Sequence, residues 1–309
     1  MLGFVTPLAK GLTTLLLATT SPSNRPSSSS SPKVLRVCTS PACKDDGAIS
    51  TYDRLTALAP PCLTVIKGGC TSLCGSGPIV ELCDTVDAVQ SIKRKRVKDD
   101  VLTNLLNELL INCKETEDVF PSRMYNRLID GYNSHILGNA AYQSKDYKSA
   151  IDFYEEAIQN GRKPALALQE ARDTYTTTQT DEEEEGYPPS LEWLITTFQN
   201  SCQARLSLND IDGARRDAFA SIVFSRNKNA ISHECLANVC HASGDGMGEY
   251  QAVKAAIKEY DRLLVKKPCM DGRDAVGRAE DARVRRNAEE RRRELGFRLD
   301  RLERELKRT

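Results

Sequence analysis

The chain has no C-x-x-C pair among its eleven cysteines, which excludes the common dithiol redox motif. Histidine is scarce, at three residues, and tryptophan occurs once. No phosphate-binding glycine loop or nucleophile motif is present. Gly75-Ser76-Gly77-Pro78 is too short and lacks the helix start such a loop needs. No catalytic constellation emerges, so the chain does not read as an enzyme. Neither sign of charge is in excess, with 43 Lys and Arg against 43 Asp and Glu, and nucleic acid is not an expected partner. No apolar run is long enough to span a bilayer. An odd number of cysteines spread over 309 residues does not suit a small secreted disulfide scaffold.

Acidic residues are also missing from the start of the chain, where Asp45 is the first. The segment "MLGFVTPLAKGLTTLLLATTSPSNRPSSSSSPK" is rich in Ser and Thr, with sparse Lys10, Arg25 and Lys33. Residues 1–32 therefore read as a disordered targeting peptide for the plastid stroma (chloroplast). Alternatives are a mitochondrial address, a secretory-type first half of a two-part plastid address, or a tail with no targeting role.

Residues 33–113 read as a small α/β domain. "VLRVC" and "CLTVIK" are short β-branched strands, and "PIVELC" is a third. "GAISTYDRLTALA" has helical spacing and stops before Pro60-Pro61. "AVQSIKRKRV" is a candidate fourth strand with a basic edge, and "KDDVLTNLLNELLINC" suits a closing helix. Two cysteine pairs follow strands one and two: "CTSPAC" is C-x4-C and "CTSLC" is C-x3-C. If those strands are parallel, both loops leave the same end of the sheet. Four thiolates at two per iron would hold two bridged irons. Glycines 68, 69, 75 and 77 let the backbone approach and aim N–H groups at sulfur. The same four thiolates could equally make a closed structural zinc site.

"RVCTSPACKDDGA" followed by "VIKGGCTSLCGSGPIV" resembles the thioredoxin-like [2Fe-2S] ferredoxin family. The likeness continues into "RVKDDVLTNLLNELL". It implies that Cys38 and Cys43 ligate one iron and Cys70 and Cys74 the other. The remaining cysteines read as core residues. "CLANVC" repeats the C-x4-C spacing at Cys235 and Cys240, but residues five apart on a helix do not share a face.

Beyond residue 124 the pattern is helical. "ILGNAAYQSKDYKSAIDFYEEAI" resembles a tetratricopeptide repeat, with Leu137, Gly138, Ala150, Tyr154 and Ala157 at the repeat's offsets. "NSCQARLSLNDIDGARRDAFASIVFS" and "AISHECLANVCHASGDGMGEYQAVKAAIKEYDRLL" are weaker copies. "PALALQEARDTY" and an acidic loop over 174–190 fill the gap between the first two. The repeats thus occupy 124–268. Residues 271–309 form a charged helix with an apolar stripe of Ala288, Leu295, Leu299, Leu302 and Leu306, the natural cap of a stacked array. The resemblance implies a partner-binding groove on the first helices, lined by His135, Asn139, Tyr142, Gln199 and Gln203.

The expected architecture is multidomain, α/β followed by an all-α, TPR-type helical solenoid. Two functions compete. One is a [2Fe-2S] protein for electron transfer or redox sensing, docked to protein partners through the groove, with a redox partner at the cluster rim. The other is an interaction scaffold whose first domain carries structural zinc or no metal.

Overall fold

A computed structural model describes residues 33–60, 63–68, 78–83, 122–176, 189–265 and 275–308. Three strands, β1 (Lys33–Cys38), β2 (Leu63–Gly68) and β3 (Val80–Cys83), form a sheet in the order β2-β1-β3. β1 pairs with β2 in parallel and with β3 antiparallel. A parallel neighbour requires a crossover, here made by α1 (Pro41–Asp45) and α2 (Ala48–Leu58). The central strand buries Val34, Leu35, Val37 and Cys38, a near-continuous run that suits a strand covered on both faces. α2 ends where Ala59 turns extended, the conformation that Pro60 imposes on its predecessor. The first cysteine loop is partly helical rather than open. Pro41 starts α1 at a position where its missing N–H costs nothing. The expected fourth strand and closing helix fall outside the described residues.

Among the described residues seven more helices follow: α3 (Ser122–Gln143), α4 (Tyr147–Thr176), α5 (Pro189–Ser207), α6 (Ile211–Phe224), α7 (Ala230–Ala242), α8 (Gly246–Val265) and α9 (Ala275–Leu306). Each packs on the next, while α3 also touches α5 and α5 touches α7. Among the described residues these make three helical hairpins, α3/α4, α5/α6 and α7/α8, closed by one kind of turn. A left-handed residue (Lys145, Asn209 or Gly244) precedes an aspartate each time. The aspartate N–H donates back to the carbonyl five residues earlier: Asp146 to Ala141 at 3.0 Å, Asp210 to Arg205 at 2.9 Å, Asp245 to Cys240 at 2.9 Å. Its side chain then caps the second helix, accepting from the N–H of Ser149, Gly213 or Gly248 at 3.1, 3.0 and 2.9 Å. Counting from these aspartates aligns the hairpins. Gly138, Cys202 and Ala237 share one small-residue position, eight before the aspartate. Ala150, Ala214 and Glu249 share another, four after it.

The segment expected to fill the gap after the first hairpin is largely helix. α4 continues through Pro164 to Thr176. Proline removes one N–H there, but Ala165 and Leu168 resume the buried stripe immediately. The helix survives because its packing face is unbroken. α9 lays Ala288, Leu295 and Leu302 on a core that includes Val253, Ala256 and Tyr260 of α8.

The sheet, the first hairpin and α5 of the second share one core. Leu35, Val37, Leu55 and Leu58 belong to the same buried cluster as Tyr125, Leu128, Trp193 and Phe198. Polar contacts lock that junction: Tyr125 Oη donates to Leu58 O at 2.6 Å, and Arg54 Nη2 donates to Asn133 Oδ1 at 2.8 Å. Two glycines permit a close approach of the helices. A Cβ on Gly131 would lie 2.7 Å from the Gly161 nitrogen, and one on Gly161 would lie 2.2 Å from the Trp193 ring. Gly131→Ala gains about 1 kcal/mol of helix propensity, but the clash is with backbone and must separate α3 from α4. A net loss of about 1–2 kcal/mol is expected, measured by urea unfolding followed through Trp193 fluorescence. An unchanged or higher midpoint would show that the two helices do not meet there.

Candidate functional site

The sheet end that carries the first cysteine pair is well defined. Cys38 ends β1 and stands in register with Gly68, which ends β2 alongside it. Cys38 N–H donates to Ile79 O at 2.9 Å, and Thr39 N–H donates to Gly68 O at 3.0 Å. Thr39 Oγ1 adds a second donor to the same carbonyl at 3.3 Å. The flanks of the glycine-rich segment, Gly68 and Ile79, are thus held on opposite sides of the Cys38 strand end. Both described thiols are buried, Cys38 at 2% exposure and Cys43 at 0%. Cys38 Sγ lies 3.4 Å from Ser40 Oγ. Cys70 and Cys74 lie outside the described residues. Among the described residues no three His, Cys, Asp or Glu side chains form a metal-binding group.

The residues expected to line the partner groove fall into two sets. His135 and Gln199 are buried in the seam between first helices, while Asn139, Tyr142 and Gln203 keep partial exposure. Asn139 Nδ2 donates to His135 Nε2 at 3.0 Å, so the proton of the neutral ring sits on Nδ1. That nitrogen donates to Thr197 Oγ1 at 2.8 Å, and Thr197 passes its own proton to Trp193 O at 2.7 Å. Burial pushes the His135 imidazole down to about 4, which keeps it neutral in this chain of bonds. Asn139 Oδ1 accepts from both Tyr154 Oη and Asn200 Nδ2 at 2.9 Å. Burial pushes the Tyr154 phenol up to about 12. Gln199 Nε2 bridges to Asn229 Oδ1 at 3.1 Å and Ser232 Oγ at 3.0 Å on the third hairpin. Tyr142 meets Tyr147 edge to face at 5.5 Å. The polar residues on the first helices therefore stitch those helices to one another.

Two ionic centres were not foreseen. Arg205 gathers Glu155, Asp210 and Asp217, binding the latter two at 2.6 and 2.9 Å. Glu249 replaces the small residue of the other hairpins and is buried at 3% exposure. Arg298 of α9 meets it at 2.7 Å and also donates to Asn238 Oδ1 at 2.8 Å. Burial alone would raise the Glu249 carboxyl, but hydrogen bonds from Arg298 and His241 outweigh it and hold the group below its usual range. Arg298 thereby ties α9 to α7 and α8. Arg205 stands on an exposed-looking helix end in sequence, and only the acidic residues near the turn hinted at its role.

Comparison with family models, with curated proteins and with solved structures finds no match to this chain. No described helix is long and apolar enough to cross a membrane.

Proposed function

We propose that the chain is a [2Fe-2S] cluster-binding protein, used for electron transfer or redox sensing and docked to protein partners through its helical hairpins. The observation that carries the reading is the parallel register of Cys38 with Gly68. Cys70 stands two residues beyond Gly68, within about 7 Å of it by covalent reach. Cys74 lies in the same segment, whose far flank Ile79 is bonded to Cys38. The four thiols thus belong to segments tethered at one sheet end, and the burial of Cys38 and Cys43 suits a centre shielded from solvent. Cys38 and Cys43 would hold one iron, Cys70 and Cys74 the other. The cluster, when bound, supplies a one-electron couple. The chain's own part is to present thiolates, exclude water, and direct glycine N–H groups toward sulfur, which tunes the potential.

The repeated aspartate turn, the shared small positions and the stacked first helices support a TPR-type solenoid capped by α9. In that reading Asn139, Tyr142 and Gln203 are the groove residues with surface left for a partner. The redox partner meets the rim of the cysteine loops. The leader, residues 1–32, delivers the protein to the plastid stroma. A second reading keeps the same four thiols but fills them with structural zinc, leaving a scaffold. Elemental analysis of protein purified without oxygen decides between them. Two irons and two acid-labile sulfides per chain are expected. One zinc per chain with no sulfide would establish the scaffold.

A further inference from the structure

Ala288, Leu295 and Leu302 turn the apolar stripe of α9 onto the core it shares with α8. On the opposite side Arg293, Phe297, Arg301, Arg304 and Arg308 follow one another at helical spacing, in one line along the axis. All five are exposed, Phe297 at 69%. The arginines on the flanks of that line are paired within the fold: Arg292 with Asp261, Arg298 with Glu249, and Arg291 with Glu294. Along the line itself, Arg301 meets Glu249 and Glu305 only at 3.9 and 3.8 Å. Among the described residues Arg293 and Arg304 enter no ion pair. Phe297 stands between two clefts. One, of about 450 Å³, lies between α7 and α9 and is lined by Asn238, His241 and Arg301 as well as the ring. The other, of about 370 Å³, lies between α8 and α9, where Ile257 and Leu299 give it apolar surface. An exposed aromatic ring set among arginines, beside concave surface, is the composition of an interface anchor.

We propose that this face of α9 docks an acidic, extended segment of a partner protein, with one apolar side chain of that segment against Phe297. Charge complementarity selects the occupant. From Arg293 to Arg304 the helix rises about 16 Å, a span that an extended segment of about five residues covers. A peptide can set carboxylates opposite Arg293, Arg301 and Arg304 and keep uncharged positions opposite Glu290, Glu294 and Asp300, which interrupt the basic face. A nucleic-acid backbone carries charge at every step and would meet those acids. A lipid surface would take up an apolar helix face, and that of α9 is turned inward. The surface shares no residue with the cysteine loops or with the first-helix groove, so its test is independent of the proposed cluster.

The full chain is titrated into a fluorescein-labelled EDELEDE peptide at physiological ionic strength, and anisotropy reports binding. Saturable binding is expected, weakened about tenfold or more by Phe297→Ala and abolished by Arg293→Glu with Arg304→Glu. Lys148→Glu with Lys163→Glu makes the same change in net charge on α4 and should bind as the unchanged chain does. All five of these side chains are exposed, and circular dichroism checks that each variant folds. An EDEEEDE peptide, with more charge and no apolar residue, should bind less tightly than EDELEDE. No binding of EDELEDE, equal loss in the α4 variant, or indifference to Phe297→Ala would overturn the proposal. So would tighter capture of a duplex oligonucleotide or of phosphatidylserine vesicles in the same assay. A dimer in sedimentation that Arg293→Glu with Arg304→Glu dissolves would give the face to a second copy of the chain and overturn it too.

Discussion

Arg205→Leu is expected to lower the free energy of unfolding by about 3 kcal/mol at pH 7. The guanidinium is 12% exposed and holds three carboxylates from two helices and one turn. They do not share the loss equally. Glu155, at 60% exposure, returns to water at little cost. Asp210 keeps its cap on Gly213. Asp217 is 14% exposed and would retain the Ser201 hydroxyl at 2.6 Å and the field of Arg216, leaving a nearly buried charge without its directly bonded cation. Burial already raises the Asp217 carboxyl, and removal of Arg205 raises it further. A group with a raised folded pKa is stabilising when protonated and loses that contribution as pH rises through the folded pKa. The penalty of Arg205→Leu should therefore be largest at neutral pH and shrink as Asp217 takes up a proton. Asp217→Asn in the same background should recover part of it. Denaturant unfolding at pH 7 and pH 4.5, read through Trp193, checks both points. Equal losses at the two pH values would remove Asp217 from the explanation.

The other large effect concerns the thiols. Serine at Cys38, Cys43, Cys70 or Cys74 is expected to abolish most bound iron, because a missing thiolate leaves one iron open to solvent and weakly held. Serine at Cys62 or Cys83 should leave the iron content near that of the unchanged chain. Folding must be followed in parallel, since Cys43 is fully buried among Ala48, Leu55 and their neighbours. A Cys43→Ala variant fills the apolar role without a ligand and should fold yet lose iron. Iron and sulfide assays on purified variants report the result. Uniform loss across all six serine variants would mean that the ligands are misassigned.

What the sequence revealed and what it hid follow from the range of the interactions. The strands at 33–38 and 63–68 were legible because β-branched runs ended at cysteine or glycine punctuation. The C-terminal stripe was legible because Ala288, Leu295 and Leu302 repeat at helical spacing, and they are buried as that period requires. The α4 extension was not, because an interior proline reads as a stop when the burial of Ala165 and Leu168 is unknown. Contacts between distant positions were also hidden. Nothing local says that Tyr125 bonds Leu58 or that Gly131 meets Gly161. His135 and Gln199 looked like groove residues because polarity on a first helix does not distinguish a solvated face from a hydrogen-bonded seam. Thr197 and Ser232 supply the partners that bury them.

Cys38, Cys43, Cys70 and Cys74 are proposed to hold a redox-active iron–sulfur centre. The direct measurement is the visible and paramagnetic spectrum of full-length protein purified without oxygen, before and after chemical reduction. Visible colour that bleaches on reduction is expected, with a paramagnetic signal appearing as one electron is taken up. A colourless protein that gains no signal on reduction and carries stoichiometric zinc would contradict it.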